Sequence, residues 1–243
     1  MLSIVKSMGL HGLDGYLIEV QVDVSAGLPS WEVVGLPDTS VKESKERVKT
    51  AIKNSDMDFL SRRILINLAP ANTRKEGSLF DLPIAIGILI ATEFIINNNI
   101  SQYAFIGELS LDGKIRKSKG VLPMCIEAKR LGIKNIVLPY ENAKEAAVVK
   151  GINVIPVKTL RQVVDYLNGV EEITPENVDI ERLFNDNSKY NFDFSEVKGQ
   201  ENIKRALEIA AAGGHNCILI GSPGSRKNND GKKITINTAR FKL

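Results

Sequence analysis

The stretch Tyr16–Val24, YLIEVQVDV, puts Ile18, Val20, Val22 and Val24 at every second position, with Glu19, Gln21 and Asp23 between them. That is the period of a strand with one face in a core and the other toward water. Trp31–Val34 and Ile64–Leu68 are further short apolar runs bounded by Gly, Pro and Asn. The strands therefore come early, and the chain is expected to open as a half-buried antiparallel sheet. Between these runs Ser40–Asn54 reads as a helix: Ser40 and Glu43 have the spacing of a capping box, and Val41, Val48 and Ile52 share a face. Leu82–Ile95, with Pro83 in its first turn, is apolar nearly all round and predicts a buried helix.

Further along, Phe105–Leu111 and Lys114–Arg116 flank Asp112-Gly113, the strongest short hairpin signal in the chain. Leu122–Leu131 then reads as helix, Asn135–Leu138 as strand, Asn142–Lys150 as helix, Asn153–Val157 as strand and Thr159–Asn168 as helix, with Gly132, Gly151 and Gly169 as stops. Residues 1–168 thus form one α+β domain. Residues 169–192 are polar, carry Pro175 and read as a linker.

Composition sets ordinary bounds. The chain has 243 residues, 43% hydrophobic and 25% charged, as a globular protein has. Its net charge of +3 is unevenly spread: residues 226–243 hold Arg226, Lys227, Lys232, Lys233, Arg240 and Lys242 against Asp230 alone. Residues 1–225 are thus slightly acidic and declare no strongly basic nucleic-acid face. Cys125 and Cys217 lie in separate apolar runs and read as two reduced core thiols, and two histidines build no metal site. The N-terminus lacks a signal-peptide core, and Phe80–Ile96, the longest apolar stretch, is interrupted by Asp81 and Glu93. The expectation is a cytoplasmic protein with no membrane partner.

Near the C-terminus, Cys217–Asn228 reads CILIGSPGSRKN. A phosphate-binding loop needs G-x-x-x-x-G-K-[ST]; Gly221, Gly224 and Lys227 are in register, but Arg226 replaces the last glycine and Asn228 the metal-binding hydroxyl. The degenerate nucleotide-binding set is Gly221, Ser222, Pro223, Gly224, Ser225 and Lys227. After it come Asn228-Asn229-Asp230-Gly231 and a β-like alternation over Ile234–Asn237, so no helix dipole backs the phosphates. The same residues also read as a plain surface turn after a strand.

Four runs carry a family resemblance: Gly35–Ile52 (GLPDTSVKESKERVKTAI), Asn67–Leu89, Gly107–Arg116 (GELSLDGKIR) and Asp193–Ser225. They resemble the ComM/YifB family of Mg-chelatase-like AAA+ proteins. The resemblance implies an N-terminal domain with the fold of the Lon protease domain, and then an AAA+ module that binds ATP and Mg²⁺ and assembles as a homo-hexamer. In ComM that motor drives branch migration on DNA during natural transformation. Val197-Lys198-Gly199-Gln200 resembles the adenine-contacting loop, Glu201–Ala212 a helix and Cys217–Ile220 the strand entering the phosphate loop, so residues 193–225 match the start of the module. No Walker B carboxylate, sensor or arginine finger follows, which makes ATP hydrolysis by this chain improbable.

The resemblance also bears on catalysis. The K-D-G-x-S segment of proteolytic Lon domains matches Lys75-Glu76-Gly77-Ser78-Leu79, which puts the nucleophile position on Leu79, and the partner lysine falls near Leu122. Without a hydroxyl and its lysine base, acyl transfer has no starting point, and Ser78 is one position out of place. The similar domain of the recombination factor RadA uses related positions for DNA. By that likeness Arg74, Lys75, Lys114, Arg116, Lys117 and Lys119 form a basic patch on two loops; the alternative is a solvated surface with scattered ion pairs.

Residues 226–243 look aberrant. Read one nucleotide later, codons for Arg226–Thr238 permit G-K-T-M-[MT]-A-[KR]-[KR]-L-P-[SL]-I-L, a completed phosphate loop with a helix behind it. The tail is therefore expected to be out of frame and the chain truncated. Two functions stay open: the N-terminal part of a ComM-type motor, or a stand-alone, non-enzymatic Lon-like interaction or oligomerisation module.

Overall fold

A computed structural model describes residues 1–59, 62–97, 99–179 and 199–218. They divide into a first unit, Met1–Val178, and a second that begins at Asp179.

The first unit is built on a seven-stranded mixed sheet. Its strands are β1 (Leu2–His11), β2 (Asp14–Ser25), β3 (Ser30–Val34), β4 (Arg63–Ala69), β5 (Tyr103–Phe105), β8 (Asn135–Pro139) and β9 (Asn153–Val157), in the order β3-β4-β2-β1-β5-β8-β9. A separate hairpin, β6 (Glu108–Leu109) and β7 (Ile115–Arg116), turns at Asp112-Gly113 as expected, but its first arm is shorter than Phe105–Leu111, because Phe105 belongs to β5 in the main sheet. The antiparallel expectation holds for β1, β2 and β4 only. β3 runs parallel to β4, and β1, β5, β8 and β9 run parallel to one another, because helices connect these strands and cross back over the sheet. The period-two reading of β2 is exact in burial: Ile18, Val20, Val22 and Val24 are all buried.

Two apolar layers sandwich this sheet. One contains Val20, Val22 and Ile66 of the sheet under α2 (Ser44–Lys53), α3 (Asp81–Ala91) and α6 (Leu160–Leu167). The other contains Met8, Ala104, Ile136 and Val154 under α4 (Val121–Arg130) and the short α5 (Ala143–Ala146). α3 is buried along almost its whole length, as its uniform hydrophobicity requires, and stops at Ala91 rather than Ile95, since Glu93 takes a positive φ.

Several local readings are corrected. The helix expected over Ser40–Asn54 is two helices, α1 (Thr39–Lys42) and α2, meeting at Glu43. Its cap is Asp38, whose Oδ1 accepts from the Val41 N–H at 2.8 Å, and not a Ser40/Glu43 box. The helix expected over Asn142–Lys150 shrinks to α5 and a preceding turn. Compact structure continues past Asn168: the Glu176 N–H donates to the Val154 carbonyl at 2.8 Å, adding a bridge at the sheet edge, and the unit ends at Val178.

Of the second unit, Gly199 and Gln200 lead into α7 (Glu201–Gly213), on which Leu207 and Ala210 are buried, and Gly214 at φ 64° stops it. Cys217 and Ile218 have no strand pairing, and Cys217 is exposed, not a core thiol. Cys125 is buried as expected, and burial pushes its thiol up to about 12.

Candidate functional site

The loop between β4 and α3 is fixed before any functional group is considered. The Lys75 N–H donates to the Leu36 carbonyl at 3.1 Å, the Asp38 N–H donates to the Lys75 carbonyl at 2.9 Å, and the Gly77 N–H donates to Asp38 Oδ2 at 3.1 Å. One carboxylate therefore caps α1 with one oxygen and anchors the loop with the other. Next, the Gly107 N–H donates to the Leu79 carbonyl at 2.9 Å and the Leu82 N–H to the Gly107 carbonyl at 3.0 Å, which satisfies an orphan donor in the first turn of α3.

Asp81 locks this corner. Its side chain is 1% exposed and receives Arg47 in a two-pronged pair, Nε to Oδ2 at 2.6 Å and the second guanidinium nitrogen to Oδ1 at 3.0 Å, plus the Leu109 N–H at 3.3 Å. Arg47 also donates to the Ser40 carbonyl at 2.8 Å, at the α1–α2 junction. Burial outweighs the pull of the guanidinium and pushes the Asp81 carboxyl up to about 6. Nothing in the spacing of Arg47 and Asp81 announces this pair, since they meet only when α2 packs on α3.

Between this loop and the start of α4 lies a cleft of about 400 Å³, lined among others by Leu10, Glu76, Ser78, Leu79, Glu108, Lys117 and Lys119. The Ser78 hydroxyl donates to the Glu108 carboxylate. On the far wall the buried Asn142 amide holds Ser118 at both backbone groups: its Oδ1 accepts from the Ser118 N–H and its Nδ2 donates to the Ser118 carbonyl, each at 2.9 Å. Lys117 and Lys119 flank that clamp and are exposed. Leu79, half-buried, packs against both apolar layers. Leu122 sits half-buried in the first turn of α4. Thus neither Leu79 nor Leu122 supplies a nucleophile or a base, and of the cleft-lining hydroxyls among the described residues Ser78 is held by a carboxylate while Ser118 Oγ is buried without a hydrogen-bond partner.

The six-residue basic patch is partly dismantled. Lys75 is fully buried, its ammonium donates to the Pro70 carbonyl, and desolvation lowers its pKa, so it cannot meet a phosphate at the surface. Arg74 pairs with Glu76 at 3.4 Å and Lys114 with Asp112 at 2.8 Å. Arg116 donates to the Ser110 hydroxyl. Arg116, Lys117 and Lys119 remain exposed and, among the described residues, without an acidic partner. Gly199 and Gln200 precede α7, Gln200 with a positive φ, while Gly221, Ser222, Pro223, Gly224, Ser225 and Lys227 lie outside the described residues. Among the described residues no helix is long and apolar enough to cross a membrane.

Comparison with known proteins gives the family. Residues 20–142 match the family model for subunit ChlI of Mg-chelatase, and residues 193–236 match that for magnesium chelatase, subunit ChlI. The competence protein ComM of Haemophilus influenzae is 39% identical over 96% of this chain and 46% of its own length. The uncharacterized protein YifB of Escherichia coli is 40% identical over 93% of this chain and 44% of its own. Lon protease 2 of Bacillus subtilis is 31% identical over 74% of this chain, in keeping with a Lon-like first unit. The chain spans less than half the length of ComM and YifB. By sequence match over nearly all of its length, and by a Lon-like α/β unit leading into the start of a phosphate-loop module, the chain belongs to the ComM/YifB family of Mg-chelatase-like proteins.

Proposed function

We propose that Met1–Val178 is a non-proteolytic Lon-like module of a ComM/YifB-type AAA+ protein that binds ATP and Mg²⁺, assembles as a hexamer and works on DNA as a branch-migration motor in the cytoplasm. The observation that carries this reading is the cleft itself: Leu79 lines it where the resemblance to proteolytic Lon domains would place a serine, and Leu122, near which the partner lysine would fall, is not among its lining residues. The similarity to a competence protein over 96% of the chain supports the link to DNA uptake. In this reading the exposed Arg116, Lys117 and Lys119 meet phosphates, with the salt sensitivity that such contacts carry. Arg226 and Asn228 break the phosphate loop, so the present chain binds nucleotide weakly and does not turn it over. In this reading residues 226–243 are an out-of-frame tail even though the family match runs on to residue 236, and resequencing of the Ser225/Arg226 boundary decides it.

The test is a paired assay on the purified chain. Peptide and ATP hydrolysis should be undetectable, while a labelled oligonucleotide should bind at low salt, and Lys117→Glu with Lys119→Glu should weaken that binding about tenfold or more. Robust peptide cleavage, or oligonucleotide affinity indifferent to both salt and these charges, would sink the proposal. The stand-alone interaction module is the second reading, favoured if the chain self-associates and binds neither nucleotide nor DNA.

A further inference from the structure

A smaller cavity, of about 110 Å³, shares no lining residue with the cleft and lies between α2 and the edge strand β3. Trp31 of β3 is the register partner of Ile64 in the parallel neighbour β4, so both face the α2 side of the sheet. Phe59, from the connection entering β4, supplies a second aromatic wall. Lys45 and Lys49 stand one turn apart on α2 and Arg62 adds a third cation. No acidic side chain lines the cavity, and among the described residues none of the three cations forms an ion pair. The Trp31 indole nitrogen is buried beside the cavity without an acceptor.

This composition selects its ligand. At about 110 Å³ the cavity is smaller than the roughly 150 Å³ that encloses a benzene, so it can take part of one ring against its walls, and the rest of the molecule must lie outside. Three cations without ion-pair partners among the lining residues favour an anionic outer part. Aromatic walls for a ring, with cations following a charged backbone, are how sequence-tolerant sites hold unpaired nucleotides. An orphaned indole N–H adds a donor for which a base offers acceptors. We infer that this cavity is a contact for single-stranded nucleic acid, seating one base against Trp31 and Phe59 with the adjoining phosphates on Lys45, Lys49 and Arg62. The inference rests on the nucleic-acid reading proposed above but names a surface that the basic loops do not include.

Trp31 is the single tryptophan of the chain, which makes its fluorescence a direct reporter. Titration with a short oligothymidylate at low salt should quench it, in step with the anisotropy of the same oligonucleotide when labelled. The double charge reversal Lys49→Glu and Arg62→Glu, at surface positions that leave the core intact, should weaken binding about tenfold or more and lower the salt slope by roughly one per cation removed. Trp31→Phe should bind nearly as the parent does, and Trp31→Ala about five- to a hundredfold more weakly. Anisotropy without quenching, abolished by Lys117→Glu and Lys119→Glu, overturns this site and leaves the nucleic-acid reading standing. Absence of any oligonucleotide binding overturns both. Equal quenching by polyglutamate, competing at matched charge, overturns the site as a nucleotide contact and assigns it to acidic peptides.

Discussion

Asp81 shows how one residue can serve both stability and site geometry. Its carboxyl is held at about 6, above its ordinary value of 3.8, mainly by burial. A folded-state value above the unfolded one means the native state binds the proton more tightly, so this contribution is complete below about pH 4 and is lost as pH rises through 6. The stability of the parent relative to Asp81→Asn should therefore decline between pH 4 and 7, by at most about 3 kcal/mol. Urea midpoints of both proteins across that window check it; a difference independent of pH would refute the shift. Asn142 is the second such residue. Its replacement by Ala strands the Ser118 N–H and carbonyl in a buried setting, so it should cost about 2 kcal/mol or more and loosen the lysine-bearing loop. Thermal unfolding measures the first effect, and amide exchange at Ser118 and Lys119 the second.

At the scale of elements, α3 packs closely on the sheet. Gly87 on α3 faces β2: an added Cβ would stand 2.6 Å from Val22 Cγ2, and the Ser3 hydroxyl donates to the Gly87 carbonyl at 2.7 Å. Alanine usually strengthens a helix, but here it must push α3 off the sheet. Gly87→Ala should destabilise by about 1–3 kcal/mol, and pairing it with Val22→Ala should recover part of the loss. Equal stability of Gly87→Ala and parent would show that the layers can slide. The Glu43 junction has a related logic, since Arg47 reaches back to the Ser40 carbonyl while gripping Asp81, so the geometry of two helices depends on a third.

For the whole molecule, the two apolar layers on opposite sides of one sheet lie wholly within Met1–Val178. A unit of that length with its own core should fold alone. A fragment ending at Val178 is expected to unfold in one cooperative transition with the stability of the full chain, whereas one ending at Asn168 loses the Glu176 bridge and should be weaker. Parallel denaturation curves test both statements. The same separation lets the DNA-binding assays proposed above be repeated on Met1–Val178, which contains Trp31, Lys117 and Lys119 but none of the phosphate-loop residues.

Side-chain periodicity is a local property, and what depends on it was legible along the chain: β2, α3, the Asp112-Gly113 turn, and the helix–strand alternation from Leu122 to Asn168 apart from the shortened helix at Ala143–Ala146. The resemblance to Lon domains likewise put Leu79 at the expected nucleophile position on sequence alone. The N-terminal strand β1 has no clear local signature, because LSIVKSMGLH alternates weakly and gains its identity from β2 and β5 on either side. Lys75 illustrates the opposite limit: in sequence it is one more cation of a basic run, yet its backbone is stitched to Leu36 and Asp38, which carries the side chain inward. The Arg47–Asp81 pair, the Asn142 clamp and the Trp31 cavity were likewise decided only by tertiary structure. Each joins residues far apart along the chain, and no local pattern can encode whether a charge ends beside a partner, a carbonyl or water until the layers have packed.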